Sequence, residues 1–196
     1  MTGMAASIDL ADVERIVALL NTHYLPDGDD VLADERAADW VADWLGGPVP
    51  PFPRRTERAE SNALRRLREI REGLRQMAAV NNGQQPDEQS IARAAGALAS
   101  RRFVLDLGDH HRRPGIAVPT TAILMDRAVA SLAECYLTAR VGKNWARLKA
   151  CADPDCRYAY LDTSRNRSRR WCEMAYCGNR AKNRAWRDRQ LPAAQA

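Results

Sequence analysis

Four cysteines in the last third of this 196-residue chain have the spacing of a metal site. Cys151 and Cys156 enclose four residues, Cys172 and Cys177 enclose another four, and fifteen residues separate the two pairs. Each pair can supply two thiolates from one tight turn, and the loop between them can bring all four into a tetrahedron. Four sulfur ligands without histidine favour Zn²⁺, with an iron–sulfur cluster or a two-disulfide module as alternatives. The sequence therefore predicts one structural zinc ion.

Few large apolar residues surround these cysteines, so we expect the metal to supply most of the folding free energy of the segment. Four thiolates on Zn²⁺ carry a net negative charge. Arginines close to the ligands in sequence would offset that charge, and these are Arg157, Arg169, Arg170 and Arg180.

The positive charge of the protein is concentrated in the same segment. Residues 143–196 carry 13 Lys and Arg against 5 Asp and Glu, a net charge of +8, whereas residues 1–142 carry 17 against 20, a net of −3. A basic segment on a slightly acidic body is typical of a module that binds a polyanion, and a merely solvated surface is the alternative interpretation.

A basic helix is predicted after Cys177, from Asn179 to Gln190, because helix breakers are absent until Pro192. Its arginines recur at intervals of four and three residues and so share one face. Such a helix fits the major groove of DNA, where arginine pairs with guanine and asparagine with adenine. Trp186 falls on the other side, and we expect it to pack back onto the protein.

The loop between the cysteine pairs is a second basic element. Tyr158 to Tyr160 and Trp171 have strand-forming character, which predicts a β-hairpin between the pairs, with Asp162 and Ser164 bracing its loop by local hydrogen bonds. The loop arginines would hold phosphates without reading sequence. The candidate nucleic-acid contacts of loop and helix are Arg165, Arg167, Arg169, Arg170, Arg180, Lys182, Asn183, Arg184 and Arg187.

The residue pattern predicts a mostly helical domain with one small β-hairpin for residues 1–142. For residues 143–196 it predicts a zinc-bound, treble-clef-like module of a β-hairpin and a helix. Alternating apolar residues indicate strands at 103–107 and 116–118, and the prolines of 48–53 predict an extended connector. We expect Thr120 or Thr121 to cap the helix that follows the hairpin. Apolar spacing predicts the body helices near residues 8–20, 37–45, 55–80, 87–100 and 122–141.

Enzymatic motifs are absent from the sequence of the body, which contains no G-x-S-x-G elbow, phosphate-binding glycine loop or H-E-x-x-H helix. We therefore expect a protein that is not an enzyme. Cys135 is predicted to be a small buried residue, and the Trp40 and Trp44 pair is typical of core packing. Seven arginines from Arg54 to Arg71 alternate with glutamates, which predicts ion pairs on a solvated helix face rather than a nucleic-acid stripe.

The chain also lacks an apolar run of the ~18 residues that cross a bilayer. Its first twenty residues contain four charged side chains, which argues against a secretory signal. We expect a protein of the reducing cytoplasm without a membrane partner, where clustered cysteines bind metal more often than they form disulfides.

Three motifs occur in order and closely resemble the CGNR zinc-finger family. They are Asp162-x-Ser-x-Asn166, Trp171-Cys-x-Met174 and the tetrapeptide Cys177-Gly-Asn-Arg180, and Tyr160 stands where that family has phenylalanine. In the family, an ABATE domain precedes the finger. The front half resembles that domain more loosely, in Leu20-Asn-Thr22, the Trp40/Trp44 helix and Leu67-Arg-Glu-Ile-Arg71.

The resemblance implies a stress-related transcription regulator whose finger contacts double-stranded DNA. The helical body would sense a signal or form homo-oligomers, a small-molecule effector would be compatible with it, and the protein would associate with the nucleoid when bound. An enzyme or small-molecule sensor in the body, with Trp40 and Trp44 lining a pocket, is one alternative at this stage, and two others concern the finger. One is a zinc-stapled adaptor for an acidic protein partner, and the other is an RNA-binding module in which Tyr158, Tyr160 and Tyr176 stack on unpaired bases.

Overall fold

The computed structural model describes residues 2–47, 57–109, 114–119 and 122–190, and this part of the chain is mainly helical. Its helices are α1 (Thr2–Leu20), α2 (Ala37–Trp44), α3 (Glu57–Val80), α4 (Glu88–Ala99), α5 (Leu124–Val141) and α6 (Asn179–Gln190). Its strands are β1 (His23–Tyr24), β2 (Asp29–Asp30), β3 (Val104–Asp106), β4 (Gly115–Ala117), β5 (Leu148–Ala150) and β6 (Ala159–Leu161). Two 3₁₀ turns, Val31–Ala33 and Trp145–Arg147, and a π-type turn, Met174–Gly178, complete the described elements.

All the helices predicted for the body are present, and so is its hairpin. The predicted connector at residues 48–53 lies outside the described residues, as do Thr120 and Thr121. The prediction of a threonine cap for α5 is nevertheless wrong, because the cap position belongs to Ile123, which forms no side-chain cap. The Ile123 carbonyl instead accepts bonds from the amides of Asp126 and Arg127, at 3.1 and 3.2 Å.

The described strands form three separate antiparallel pairs rather than one sheet: β1 with β2, β3 with β4, and β5 with β6. In the body hairpin Leu105 lies opposite Ile116, and in the last pair Lys149 lies opposite Tyr160. A two-stranded ribbon is marginal by itself in water, so each pair depends on the helices against which it packs.

The core lies between α1, α3 and α5, where Ile16, Leu67 and Leu132 are fully buried. Trp40 and Trp44 stack with ring centroids 6.2 Å apart, and the Trp44 indole donates a 3.0 Å hydrogen bond to a backbone carbonyl of α1. The aromatic pair thus packs in the core as predicted. Cys135 is also buried there, and burial raises the pKa of its thiol to about 12, so it remains a protonated thiol.

Two arginines of α3, Arg71 and Arg75, are buried with their counter-charges. The burial of Arg71 corrects the prediction of a solvated face. Arg65 does form an exposed i,i+4 pair with Glu69 at 2.6 Å. Arg71, in contrast, is only 2% exposed and holds both Asp30 oxygens, at 2.6 and 2.8 Å. Burial by itself would raise the pKa of Asp30, but the hydrogen bonds and charge of Arg71 lower it. The pair therefore stays ionised and ties β2 to α3.

The β5–β6 hairpin packs in the same core as the body helices. Leu148, Ala150 and Ala159 are fully buried in the cluster that contains α1 and α3. Asn21, just after α1, accepts from the Ala159 amide at 2.8 Å and donates to the Ala159 carbonyl at 2.9 Å. An asparagine side chain thus takes the place of a neighbouring strand at the edge of β6.

The position of this hairpin corrects the sequence prediction. β6 pairs with β5 and so encloses the first cysteine pair, whereas a ladder with the Trp171 segment was expected between the two pairs. The returning chain is held instead by single bonds, from the Ala152 amide to the Arg170 carbonyl at 3.0 Å and from the Tyr160 hydroxyl to the Arg169 carbonyl at 2.8 Å.

We predict opposite effects of alanine at the glycines of α3 and α4. A Cβ at Gly73 would overlap the Ala94 side chain and lie 3.1 Å from the Ser90 carbonyl oxygen, so Gly73→Ala should destabilise the fold by about 1–3 kcal/mol. A Cβ at Gly96 meets nothing within 4 Å, so Gly96→Ala should stabilise it by roughly 0.5–1 kcal/mol. Urea unfolding of both variants measures the difference, and similar effects of the two would contradict the close α3–α4 contact.

Candidate metal centre and nucleic-acid interface

The four clustered cysteines converge on one point. The Sγ atoms of Cys151, Cys156, Cys172 and Cys177 all lie within 4.8 Å of one another, with 3.5 Å between Cys156 and Cys172 and 3.6 Å between Cys172 and Cys177. A tetrahedral site with Zn–S bonds of about 2.3 Å has sulfur–sulfur edges of about 3.8 Å. The donor set and its dimensions fit one structural Zn²⁺, which confirms the metal prediction.

Hydrogen bonds and burial within the cluster shift the pKa values of the four thiols in different directions. Donation from the Cys156 thiol, assisted by the Cys172 amide 3.4 Å away, lowers the pKa of Cys151 to about 5. The same shared proton raises the pKa of Cys156, and burial raises that of Cys172 to about 12. Four thiolates this close together repel one another, so a divalent metal is needed to hold all four.

Local backbone geometry presents the ligands. The chain turns sharply after Cys156, where Arg157 adopts a left-handed φ of 54° and the Cys156 amide bonds the Asp153 carbonyl at 3.0 Å. At the other pair, a Cβ on Gly178 would overlap Met174 Sδ and lie 3.2 Å from the Trp171 ring. A larger residue there would displace the end of the Met174 side chain and crowd the Trp171 ring at the turn into α6.

Asp153 joins the metal centre to α6. This carboxylate is fully buried and accepts hydrogen bonds from Arg180 Nε at 2.7 Å and from Arg184, whose other nitrogen lies 2.9 Å from Asp155. Burial by itself would raise the pKa of Asp153, but the two guanidinium groups lower it. Arg180 also donates to Cys177 Sγ at 3.2 Å, so it offsets thiolate charge as predicted. The sequence analysis missed Asp153 and Asp155, although acidic residues between two cysteines of a basic segment were a visible signal.

A buried ion pair supports the loop at 162–170. Lys149 Nζ lies 2.7 Å from Asp162 Oδ2, with side chains 5% and 0% exposed. Lys149 also donates to the carbonyls of Arg167 and Arg169, at 2.5 and 3.0 Å. Asp162 accepts from the Ser164 amide and hydroxyl at 3.0 and 2.6 Å, so both predicted bracing residues act as expected.

The candidate nucleic-acid contacts fall into three groups. Arg180 and Arg184 are held by Asp153, as described above. Arg169 folds back to donate to the Trp171 carbonyl at 2.9 Å and lies 4.7 Å over the Tyr160 ring, while Arg170 lies 5.6 Å over the Trp171 ring. The remaining side chains are exposed and have no hydrogen-bond or ion-pair partner among the described residues: Arg165, Arg167, Lys182, Asn183 and Arg187.

Two expectations about aromatic residues require correction. Trp186 is 57% exposed and does not pack back onto the protein, because α6 projects from the metal centre with no described element covering that side. Tyr160 is buried, with its hydroxyl bonded to Arg169, so it cannot stack on a base. Tyr158 and Tyr176 are exposed, and Tyr24 of the body packs edge-on against Tyr158 with centroids 6.3 Å apart.

Fold and site together define a class of protein, a helical body joined to a zinc finger with four cysteine ligands. Residues 14–142 match the family model for ABATE, described as "Putative stress-induced transcription regulator", and residues 147–190 match the CGNR zinc finger. The chain belongs to the ABATE family and carries a CGNR zinc finger, as its motifs predicted. These family names point to a regulator rather than an enzyme.

No curated protein sequence matches the chain. Within the described residues, no helix combines the length and apolar character that crossing a membrane requires.

We predict that Cys172→Ser abolishes stable zinc binding. Three thiolates remain, so after dialysis against EDTA the zinc content should fall from one ion per chain to near zero, and amides of residues 151–178 should lose protection from hydrogen exchange. Cys135→Ser is the matched control, since Cys135 lies in the helical core. Equal zinc content in the two variants, measured by atomic emission, would rule out the assigned ligand set.

We predict that Asp162→Asn destabilises the protein by about 3–5 kcal/mol at pH 7, because it leaves the Lys149 ammonium buried without a counter-charge. Burial opposes ionisation of Asp162, yet hydrogen bonds from Lys149 and Ser164 bring its pKa down to about 2. A lowered folded-state pKa stabilises the protein above the unfolded value of about 4, and this contribution is lost as the pH falls towards 2.

The difference in unfolding free energy between wild type and Asp162→Asn should therefore shrink as the pH falls from about 4 towards 2. Both chains release zinc at low pH, and this effect cancels when the two are compared. Asp188→Asn on exposed α6 removes the same charge and should change little. A difference independent of pH would contradict the ion pair.

Proposed function

We propose that this protein is a zinc-dependent transcription regulator that binds double-stranded DNA through the loop at 162–170 and α6. The observation that carries the proposal is a set of cations without a carboxylate partner among the described residues, on two elements anchored to one metal centre. They are Arg165, Arg167, Arg170, Lys182, Arg187 and Arg189. The helical body would sense a signal or mediate self-association, and the protein would act in the cytoplasm at the nucleoid.

The loop is suited to hold phosphates. Hydrogen bonds with the side chains of Lys149 and Asp162 hold its backbone in place. Arg167 adopts a left-handed φ of 51° at the exposed turn. Arg165 and Arg167 therefore extend from a preorganised loop, and less conformational entropy is lost when a phosphate binds them. Phosphate contacts of this kind set register without reading sequence.

Helix α6 is suited to enter a groove. Arg180 and Arg184 anchor it to Asp153. Their side chains are 49% and 36% exposed, respectively, and each guanidinium retains further N–H donors. Asn183 and Arg187 are exposed on the same helix and are the candidates for contacts with adenine and guanine. In this proposal the acidic residues of the first cysteine pair orient the helix, and its outward side chains read bases.

We predict that the double variant Arg165→Gln/Arg167→Gln loses about two phosphate contacts. The slope of log affinity against log salt for a pool of random-sequence duplex DNA should change from about −5 to about −3, and affinity at 0.15 M salt should fall roughly 10- to 30-fold. Fluorescence anisotropy over a salt series measures both quantities. The matched control is Arg93→Gln/Arg102→Gln, which removes the same charge from exposed sites on the body.

Binding that does not depend on salt, or an equal loss in the two double variants, would contradict the proposal. Single-stranded RNA of the same length, if it displaced the duplex at lower concentration, would favour an RNA-binding module. Purification with a stoichiometric acidic protein and no affinity for nucleic acid would favour the adaptor.

A further inference from the structure

The body contains an apolar cavity that opens to solvent and shares no lining residue with the zinc centre. It has a volume of about 450 Å³ and lies between α3, α4, α5 and the β3–β4 hairpin. The buried side chains of Ile70, Leu74 and Leu132 line it, and Phe103 and Leu137, which are 37% and 51% exposed, mark where it meets solvent. None of the described residues that line this cavity is charged.

Small residues create the space. α3 and α4 touch at Gly73 and Ala94, and both residues line the cavity together with Ala95 and Ala133. Ala133 is half-buried and Ala95 is exposed where the cavity opens, so larger side chains at these positions would occupy part of the volume. The chain instead keeps a cavity within the size range of pockets that enclose one small organic molecule.

One polar group faces this apolar volume. The Tyr136 hydroxyl has Met77 Sδ as its partner at 3.9 Å, and a thioether is a weak acceptor. A ligand with one hydroxyl or carbonyl group could replace that contact with a stronger hydrogen bond. A charged ligand would lose its hydration without compensation, because no counter-charge lines the cavity.

We propose that this cavity binds a neutral, mostly apolar small molecule that carries at most one polar group, which bonds Tyr136. The lining by three helices and a hairpin, and a volume of about 450 Å³ that suits one small molecule, favour this occupant over a second copy of the chain or a peptide. The Tyr136 ring packs edge-on against Trp145 with centroids 5.1 Å apart, and Trp145 begins the 3₁₀ turn that leads into β5. The inference does not depend on DNA binding.

The test uses the zinc-loaded full chain and the neutral fluorescent probe N-phenyl-1-naphthylamine. The probe should bind one per chain with enhanced emission, and Ala95→Leu should weaken binding roughly tenfold or more by filling the cavity. Ala92→Leu, on the same helix but outside the cavity lining, is the matched control and should bind as wild type. Ala133→Leu provides a second filling variant should Ala95→Leu fail to fold, as judged by circular dichroism and zinc content.

The polar contact has its own test. Tyr136→Phe should leave the affinity for N-phenyl-1-naphthylamine nearly unchanged and weaken 1-naphthol, measured by displacement of that probe, about 3- to 10-fold. Absence of probe binding, or an equal loss with Ala92→Leu and Ala95→Leu, would overturn the proposal. So would a dimeric wild type that becomes monomeric with Ala95→Leu and binds no probe, since the cavity would then be a protein interface.

Discussion

The close approach of four thiols is the constraint on which the carboxyl-terminal half of this structure depends. Sulfur atoms within 4.8 Å of one another cannot all ionise unless a cation lies between them, so we expect the finger to fold as the metal binds. The surrounding charges follow from this requirement. Arg180 reaches Cys177, and it can do so because buried Asp153 holds its guanidinium in place. Arg184 shares the same carboxylate, and the direction of α6 is thereby coupled to the metal centre.

Much of the fold and the metal site was predictable, since the signals are local in sequence. The cysteine spacing is set by the geometry of tetrahedral coordination, which does not depend on the rest of the fold. The body helices bury one face each, so their apolar residues recur every three or four positions, as in α3 from Leu67 to Leu74. The β3–β4 hairpin was likewise visible as alternation on both sides of a glycine turn, and Asp162 was visible because it bonds a residue two positions away.

The features that were not predicted involve partners distant in sequence. Arg71 lies in a run of charges typical of an exposed face, and only the approach of Asp30 from β2, 41 residues earlier, explains its burial. Strand β5 has three residues, too few for alternation to identify it. The sequence pattern therefore predicted that β6 pairs with the Trp171 segment, whereas it pairs with β5. Helical spacing correctly separated Trp186 from the arginine face, but spacing cannot say whether any element covers a face.

Hydrogen bonds to buried backbone carbonyl groups hold the finger against the body more tightly than a flexible tether would. Buried carbonyl groups of the finger need donors, and the body supplies them from the end of α3. Asn81 donates to the carbonyls of Trp145 and Leu148, both at 2.9 Å, and Asn82 donates to those of Ala150 and Arg170, both at 2.8 Å. Any displacement of the finger relative to α3 would leave these groups unsatisfied in the interior. The finger is therefore fixed to α3 as a packed element, since free swinging of the finger would break every one of these bonds.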